Sequence, residues 1–405
     1  MSIVVQKYGG SSVADVSRVK QVAERVMRTR RQGHDVVVVV SAMGDTTDDL
    51  LALARQVSAN PDRRELDMLL TAGERIAMAL LSLAIRELGG EAISFTGSQS
   101  GIITNDRHVD ARIIEVRPFR VEDELARGRV VVIAGYQGVS YRREVTTLGR
   151  GGSDTTAVAM AAALGAEYCE ICSDVDGVYT ADPRVVPGAR RIASLSYEET
   201  QELAESGAKV LNAQAVEFAK DKGIVLYARA TASPPGAESA EGGTVVRRFP
   251  PRMPGAVVGV ASERDVLVLE ARGDSDAAAV LAALDEHGVA GKQLHQSGAG
   301  EVTLVISREN LHDEGRLRAD LAARFGGRVR LIDDLGALSV VGAGINQSFE
   351  NLRRGSEALT AAGATPRGVA TSSFRITWMV PRATLDDSVR TLHRAFLEQP
   401  SPALP

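Results

Sequence analysis

The chain has 405 residues, with 47 Lys and Arg against 52 Asp and Glu and a formal net charge of −5, so it carries no basic footprint for nucleic acid. Its length predicts two or three domains at about 150 residues each. With 44% hydrophobic residues and only 4% aromatic, a chain rich in Ala, Val and Gly suits α/β packing better than a β-sandwich.

Taken in order, Ile3 to Gln6 reads as a buried strand that runs into Lys7-Tyr8-Gly9-Gly10-Ser11-Ser12. A helix is predicted from near Asp15, with Val16, Val19, Ala23 and Val26 at helical spacing. Asp35 to Val40 returns as an apolar strand and opens into Ser41-Ala42-Met43-Gly44-Asp45-Thr46-Thr47. Helices are predicted over Thr46 to Val57 and Arg64 to Leu88, then a strand at Ala92 to Phe95. The run Val130-Val131-Val132-Ile133 indicates a strand buried on both faces, hence a mostly parallel sheet covered by helices. The alternation continues with a helix over Asp154 to Leu164, a strand over Tyr168 to Ser173 and helices within Glu198 to Glu217.

No apolar stretch reaches about 18 residues, and a strand begins within three residues of the start, so neither a membrane span nor a signal peptide is expected. A cytoplasmic protein follows. The two cysteines form Cys169-Glu170-Ile171-Cys172. Two thiols cannot complete a four-ligand zinc site, and positions i and i+3 of a strand face opposite ways, so both are read as core and no metal-binding side chains are assigned.

The densest chemical signal is Thr146-Thr147-Leu148-Gly149-Arg150-Gly151-Gly152-Ser153-Asp154-Thr155-Thr156. Glycine lets backbone approach a ligand, a helix N-terminus supplies N–H donors and positive potential, and Arg150 can clamp an anion in bidentate fashion. The plainer reading is a capped helix with Ser153 or Asp154 as N-cap. The glycine loop after the first strand repeats the design, and the loops at Ser41 to Thr47 and Ser173-Asp174-Val175-Asp176-Gly177-Val178-Tyr179 follow strands in the same way. No G-x-x-x-x-G-K-[ST] or dinucleotide spacing is present. Ligands of open α/β sheets sit where loops leave the carboxyl ends of strands, so these loops imply one crowded polar site.

The opening K-Y-G-G-S-S, the run Ser94 to Gly101 (S-F-T-G-S-Q-S-G), the T-T-L-G-R-G-G-S-D-T-T segment and Ser173 to Arg184 (S-D-V-D-G-V-Y-T-A-D-P-R) resemble the aspartate kinases. The likeness covers residues 1 to 245 nearly continuously and continues more faintly to the C-terminus. It implies an α/β, three-layer amino-acid-kinase fold with a mostly parallel sheet, followed by two α+β ACT domains of βαββαβ, ferredoxin-like topology. It also implies transfer of the γ-phosphate of MgATP to the β-carboxylate of L-aspartate, opening the route to lysine, threonine and methionine. That carboxylate, with an ordinary pKa near 3.9, is already ionised at pH 7, so no general base is required. The difficulty is to bring two anions together, which calls for cations and fixed donors.

By resemblance, Lys7, Tyr8, Gly9, Gly10, Ser11 and Ser41 meet the ATP phosphates. Ser173, Asp174, Tyr179, Asp182, Arg184, Lys209 and Val210 hold the rest of the nucleotide. Thr47, Glu74, Arg150, Gly151, Gly152 and Ser153 bind aspartate, Glu74 taking its ammonium and Arg150 its α-carboxylate; Lys7, Arg150 and Asp154 are the catalytic set. Without the resemblance, Glu74 reads as a helix surface charge and Tyr179 as core. His108 is read as structural, because the chemistry needs no acid or base. Asn212-Ala213-Gln214 departs from the family pattern by removing a cation near the nucleotide. Other kinases of the fold, acting on glutamate or acetylglutamate, and a non-catalytic amino-acid sensor are the alternatives.

Thr231 to Pro254 carries Pro-rich linker signals. Beyond it, Val266 to Ala271, Asp276 to His287, Gly291 to Gln296, Glu301 to Ser307, Asp313 to Phe325 and Arg328 to Ile332 make one βαββαβ unit. Leu338 to Gly342, Asn351 to Ala362, Pro366 to Thr371, Phe374 to Val380 and Asp386 to Phe396 make a second without its last strand. The resemblance implies that Ala256 to Ala261 supplies it. The expected domains are 1–245 (kinase), 246–262 (linker and exchanged strand), 263–335 (first ACT) and 336–405 (second ACT). The family's effectors are lysine and threonine, bound at ACT domains that also form a homodimer or higher oligomer. Here Arg272 to Asp276 lacks the usual Pro-Gly, Val289-Ala290-Gly291-Lys292 has a lysine in place of an acid, Gln347 to Glu350 replaces another Pro-Gly, and Ala370 to Phe374 replaces an S-T-S-E-I stretch. Weakened feedback is the expectation, since a like charge repels an effector ammonium. Met253 stands where some relatives start a separate regulatory subunit.

Overall fold

The computed structural model describes residues 2–149, 151–208, 211–233, 242–251, 253–272, 277–289, 291–297, 301–308, 311 and 313–398. The chain forms two compact units: Met1–Val178, Arg191–Ala204 and Lys209–Pro251 in the first, and Tyr179–Arg190, Glu205–Ala208 and Arg252–Pro405 in the second.

The first unit runs β1 (Ile3–Tyr8), α1 (Val16–Arg31), β2 (Asp35–Val40), α2 (Thr46–Val57), α3 (Arg63–Glu87), β3 (Ala92–Phe95), β4 (Ile102–Thr104), β5 (Ile113–Val116), α4 (Phe119–Ala126), β6 (Val130–Ala134), β7 (Gln137–Ser140) and β8 (Val145–Thr147). It continues with α5 (Gly152–Leu164), β9 (Tyr168–Ser173), β10 (Ser194–Leu195), α6 (Tyr197–Glu205, whose last residue belongs to the second unit), α7 (Ala213–Lys222), β11 (Val225–Ala230) and β12 (Gly243–Val246). An eight-stranded sheet has the order β10-β12-β11-β9-β1-β2-β6-β3. Its strands from β11 to β3 are parallel, and β12 pairs antiparallel with β11. A small sheet, β5-β4-β7-β8, lies in the same unit.

Strand alternation distributes the helices. Tyr8, Val36, Val38, Val40, Val130 and Val132 form one buried cluster with Val19, Val22, Ala23 and Val26 of α1 and Ala77, Leu81 and Ile85 of α3. Val16 is exposed, so Val22 fills the stripe that the spacing assigned to it. α3, with 25 residues, is long and apolar enough by length and composition to cross a membrane, contrary to the expectation that no such stretch exists. Here it packs in that core and carries the buried carboxyl groups Asp67 and Glu74. The opposite face of the sheet receives α5, an almost wholly buried helix packed against α7 and β1.

Between β1 and α1 lies a fully buried charge cluster. Glu170 Oε2 accepts from Gln6 Nε2 at 2.8 Å and Arg25 Nη2 at 3.3 Å, and Oε1 accepts from Arg229 Nη1 at 2.9 Å. Gln6 also donates to Thr29 and accepts from Tyr8. Cys172 lies on this face and Cys169 on the other, both fully buried. Burial pushes the Cys172 thiol up to about 12 and Cys169 well above its usual range, so neither is a thiolate.

The second unit contains β13 (Gly259–Glu263), β14 (Val266–Ala271), α8 (Ala277–Glu286), β15 (Gly291–Ser297), β16 (Glu301–Ser307), α9 (Glu314–Phe325), β17 (Val329–Ile332), β18 (Leu335–Val341), α10 (Glu350–Ala361), β19 (Gly368–Thr371), β20 (Arg375–Pro381) and α11 (Leu385–His393). Its sheets have the orders β15-β16-β14-β17 and β13-β18-β20-β19. Thus β13 completes the second sheet, antiparallel to β18, and lies at Gly259–Glu263, three residues later than the sequence suggested. Val266, Val268, Val305 and Ile332 pack with Leu335, Ala337 and Met379 to join the two halves. Ala181 and Val186 enter the core around Trp378, and Thr180 accepts from Val260 N at 2.7 Å and meets His393 Nε2 at 2.9 Å.

Breaking a buried ion pair by removing one partner costs about 3–5 kcal/mol. Glu170→Leu leaves Arg25 and Arg229 buried without their shared counter-charge and is expected to destabilise the first unit by about that amount; urea unfolding with an unchanged midpoint would refute this.

Candidate active site

The carboxyl ends of β1, β2 and β9 bring three loops together. Gly9 N donates to Cys172 O at 3.2 Å, Ser41 N to Tyr8 O at 3.1 Å and Gly44 N to Gly10 O at 3.1 Å. A Cβ on Gly10 would lie 2.9 Å from the carbonyls of both Ala42 and Gly44; only glycine allows that approach. Ser12 Oγ meets Thr231 Oγ1 at 2.6 Å, and Thr231 N donates to Ser173 O at 2.8 Å. Ser11 and Ser41 are half-buried beside them.

Lys7 projects from β1 toward α5, where its Nζ lies 2.7 Å from Asp154 Oδ1, both side chains being nearly buried. Tyr8, next along the strand, faces the other way, is fully buried and donates to Gln6. This corrects the expectation for Tyr8: period-two alternation leaves only its backbone at the loop.

α3 supplies Glu74 from inside the core. Gly73 lets the helix approach the loop after β2, a Cβ there falling 2.7 Å from that of Ala42. Glu74 is 2% exposed; its Oε1 accepts from Ala42 N at 3.2 Å, and its buried Oε2 has no partner among the described residues. Burial pushes its carboxyl up to about 7. This is not a surface helix charge. Thr47 is half-buried in the first turn of α2.

Two turns before Glu74, Asp67 accepts from Thr147 Oγ1 at 2.6 Å and Val109 N at 3.0 Å, with His108 Nδ1 at 2.6 Å. Burial raises its carboxyl against the pull of those hydrogen bonds. His108 therefore has a structural partner, and Thr147 is fixed three residues ahead of Arg150. Arg150 itself lies outside the described residues. Gly149 and Gly151 flank it with φ of 72° each. α5 begins at Gly152 with Gly151 as N-cap, earlier than the expected Ser153 or Asp154. Ser153 and Asp154 are buried in its first turn. A Cβ on Gly151 would lie 2.3 Å from Asn212 Nδ2.

On the nucleotide side, Ser173 Oγ bonds with Val175 of its own turn and Asp174 is exposed. Tyr179 is half-buried rather than core, and with Asp182 and Arg184 it belongs to the second unit. Arg184, 85% exposed, pairs with Asp182 at 2.7 Å and lowers its carboxyl pKa. Lys209 and Val210 lie outside the described residues.

Residues 2–227 match the Amino acid kinase family. An aspartokinase of Mycolicibacterium smegmatis is 46% identical over 411 residues, covering 98% of this chain and 96% of that protein. One from Corynebacterium glutamicum is 43% identical with the same coverage. The chain belongs to the aspartokinases. It is an aspartate kinase, and the glutamate-type and sensor alternatives are not favoured. Among solved structures, the aspartate kinase from Synechocystis is 34% identical, with a TM-score of 0.55 over 99% of this chain and 71% of that one. E. coli aspartokinase III in complex with aspartate and ADP has a TM-score of 0.84, covering 98% and 100% of the two chains at 24% identity, a likeness of fold.

The aspartokinase site includes residues that sequence reasoning passed over. Tyr136 has a φ of 66°, a conformation uncommon for a non-glycine residue, and its ring would lie 3.0 Å from a Cβ on Gly152. Thr231 bridges two loops. Asn212, noted only as a missing cation, caps α7 by accepting from Gln214 N and Ala215 N, and it accepts from Thr155 Oγ1 at 3.3 Å. None has a local signal, because each acts through neighbours distant in sequence.

A carboxyl titrating near 7 is mostly protonated below that pH and charged above it. The kcat/KM for aspartate is expected to fall below pH 7 with a midpoint near that of Glu74, and Glu74→Gln to remove that limb. A flat wild-type profile from pH 6 to 8 would contradict the assignment (about one unit either side).

Proposed function

We propose the following division of labour in the aspartate kinase reaction. Glu74 takes the α-ammonium of aspartate, Arg150 its α-carboxylate, and Thr47, Gly151, Gly152 and Ser153 complete that pocket. The unpartnered, buried Oε2 of Glu74 carries this reading: a carboxylate oxygen shielded from water and left without a donor is suited to an ammonium group. The β-carboxylate is then free to attack. Its oxygen forms a bond to the γ-phosphorus as the bond to the bridging oxygen breaks, and ADP leaves with that electron pair. Lys7, Gly9, Gly10, Ser11 and Ser41 meet the transferring phosphoryl group, whose negative charge Lys7 offsets; Asp154 holds Lys7 on the α5 side. The glycine cradle and lysine fit a phosphate group. Ser173, Asp174, Tyr179, Asp182, Arg184, Lys209 and Val210 hold the nucleotide. Mg²⁺ arrives with ATP, where it withdraws charge from the phosphoryl oxygens.

We also propose the division into 1–245, 246–262, 263–335 and 336–405, a cytoplasmic location, and a homodimer or higher oligomer through the ACT domains. The product, 4-phospho-L-aspartate, feeds lysine, threonine and methionine synthesis. Feedback by lysine and threonine is weak, as the Lys292 and Gln347 to Glu350 departures favour. An internal start at Met253, giving a separate regulatory subunit, stays outside this proposal.

Trapping the acyl phosphate with hydroxylamine tests the reaction directly. Lys7→Met is expected to lower kcat by about 10²–10³, as for loss of one donor to transition-state charge, and full retention would overturn its role. Activity of the wild type should be nearly unchanged by lysine plus threonine at sub-millimolar levels; a steep loss would show intact feedback.

A further inference from the structure

The end of α6 and the three residues after it, Glu205–Ala208, belong to the second unit, although the chain on both sides belongs to the first. Three contacts hold this short excursion. Lys292 on β15 donates from Nζ to the carbonyl oxygen of Glu205 at 2.7 Å and pairs with Glu263 Oε2 at 2.5 Å. Arg375 on β20, nearly buried, meets Ser206 Oγ at 3.4 Å and Glu205 Oε2 at 3.8 Å. Gly207, with φ of 106°, brings its backbone so close to β13 that a Cβ would lie 2.3 Å from Ser262 O.

Lys292 is central to this arrangement. It places a cation on the last carbonyl of α6, where the helix dipole is negative. Its partner Glu263 is 12% exposed and also accepts from Ser307 Oγ, so the pair is more shielded than an ordinary surface ion pair. The residue after Ala208 is Lys209, and consecutive Cα atoms are about 3.8 Å apart. Wherever Ala208 is held, Lys209 must begin.

We infer that Lys292 is a positioning residue for the nucleotide side of the reaction: by fixing Glu205–Ala208 it sets the backbone from which Lys209 reaches ATP. The inference rests on the reading of Lys209 as a nucleotide ligand. Lys292 touches no substrate. Its loss removes both the tie to the Glu205 carbonyl and the counter-charge of Glu263, and a misplacement of about 1 Å at a binding group is enough to cost a large factor.

The experiment is steady-state kinetics of the full chain for wild type, Lys292→Met, Lys292→Arg, Glu263→Gln and Lys209→Met, with thermal unfolding of each. Lys292→Met is expected to raise KM for MgATP about five- to tenfold while KM for aspartate and kcat stay within about twofold. Lys292→Arg, which keeps a donor and a charge, should restore most of the MgATP affinity. Glu263→Gln, which leaves the Glu205 carbonyl bond possible, should raise KM for MgATP by less than Lys292→Met and serves as the test if Lys292→Met fails to fold. Equal rises in both KM values, a fall confined to kcat or thermal stability, or no change in KM for MgATP in the folded variants would overturn the inference. If Lys209→Met leaves KM for MgATP unchanged, the nucleotide reading of Lys209 fails and takes the inference with it; if Lys209→Met raises it and Lys292→Met does not, the positioning role alone fails.

Discussion

Everything at the site depends on β1 being read with period two from inside a parallel sheet. Lys7 can face α5 and Asp154 only if Gln6 and Tyr8 face α1, and there they join Arg25, Glu170 and Arg229 in a buried cluster. A one-residue slip would reverse every side chain, placing Lys7 among the apolar residues of α1 and α3. Gln6 and Glu170, on neighbouring strands at the same level, pin that register by a hydrogen bond. Arg25 carries the constraint to the loops, since its Nη1 reaches the carbonyl of Thr231 at 3.2 Å, and Thr231 in turn holds Ser12 and Ser173.

The substrate side is built by close backbone approach and a few uncommon conformations. Gly10 and Gly73 each bring a second element against the Ala42 loop, and Val109 and Tyr136 hold positive φ near Asp67 and the glycine loop. Such conformations persist only where their surroundings over-determine them. Asp67 does this for Val109 and Thr147 together. The consequence is preorganisation: donors are in place before two anions arrive, so little reorganisation remains when charge moves in the transition state. Glu74 belongs to the same logic, its burial setting its titration and giving it an orphaned oxygen.

The division into two units does not follow the order of the chain. Tyr179–Arg190 and Glu205–Ala208 leave the kinase unit and are built into the second, the former through Thr180, Ala181 and Val186, the latter through Lys292, Arg375 and Gly207. Residues assigned to the nucleotide from the family motif, Tyr179, Asp182 and Arg184, therefore depend for their support on the C-terminal half. Lys292, which the motif comparison marked as a lost effector contact, has an internal occupation instead.

Much of the architecture was legible in the sequence, because buried parallel strands appear as unbroken Val and Ile runs and amphipathic helices as a 3.6-residue stripe; both patterns are local. The strand-end glycine loops were legible for the same reason, and they named Lys7, Gly9, Gly10, Ser153 and Asp154 before any contact was known. What depended on distant neighbours was not. The side of β1 that Tyr8 takes, the burial that makes Glu74 a group titrating near 7, the cap that Asn212 provides, the start of α5 at Gly152 and the capture of Glu205–Ala208 by the second unit each arise from partners tens to hundreds of residues away. A sequence states which side chains are available at each position and which way neighbouring ones must alternate; the solvent exclusion, pairing and close approach that turn them into a site exist only once the sheet and its helices have closed around them.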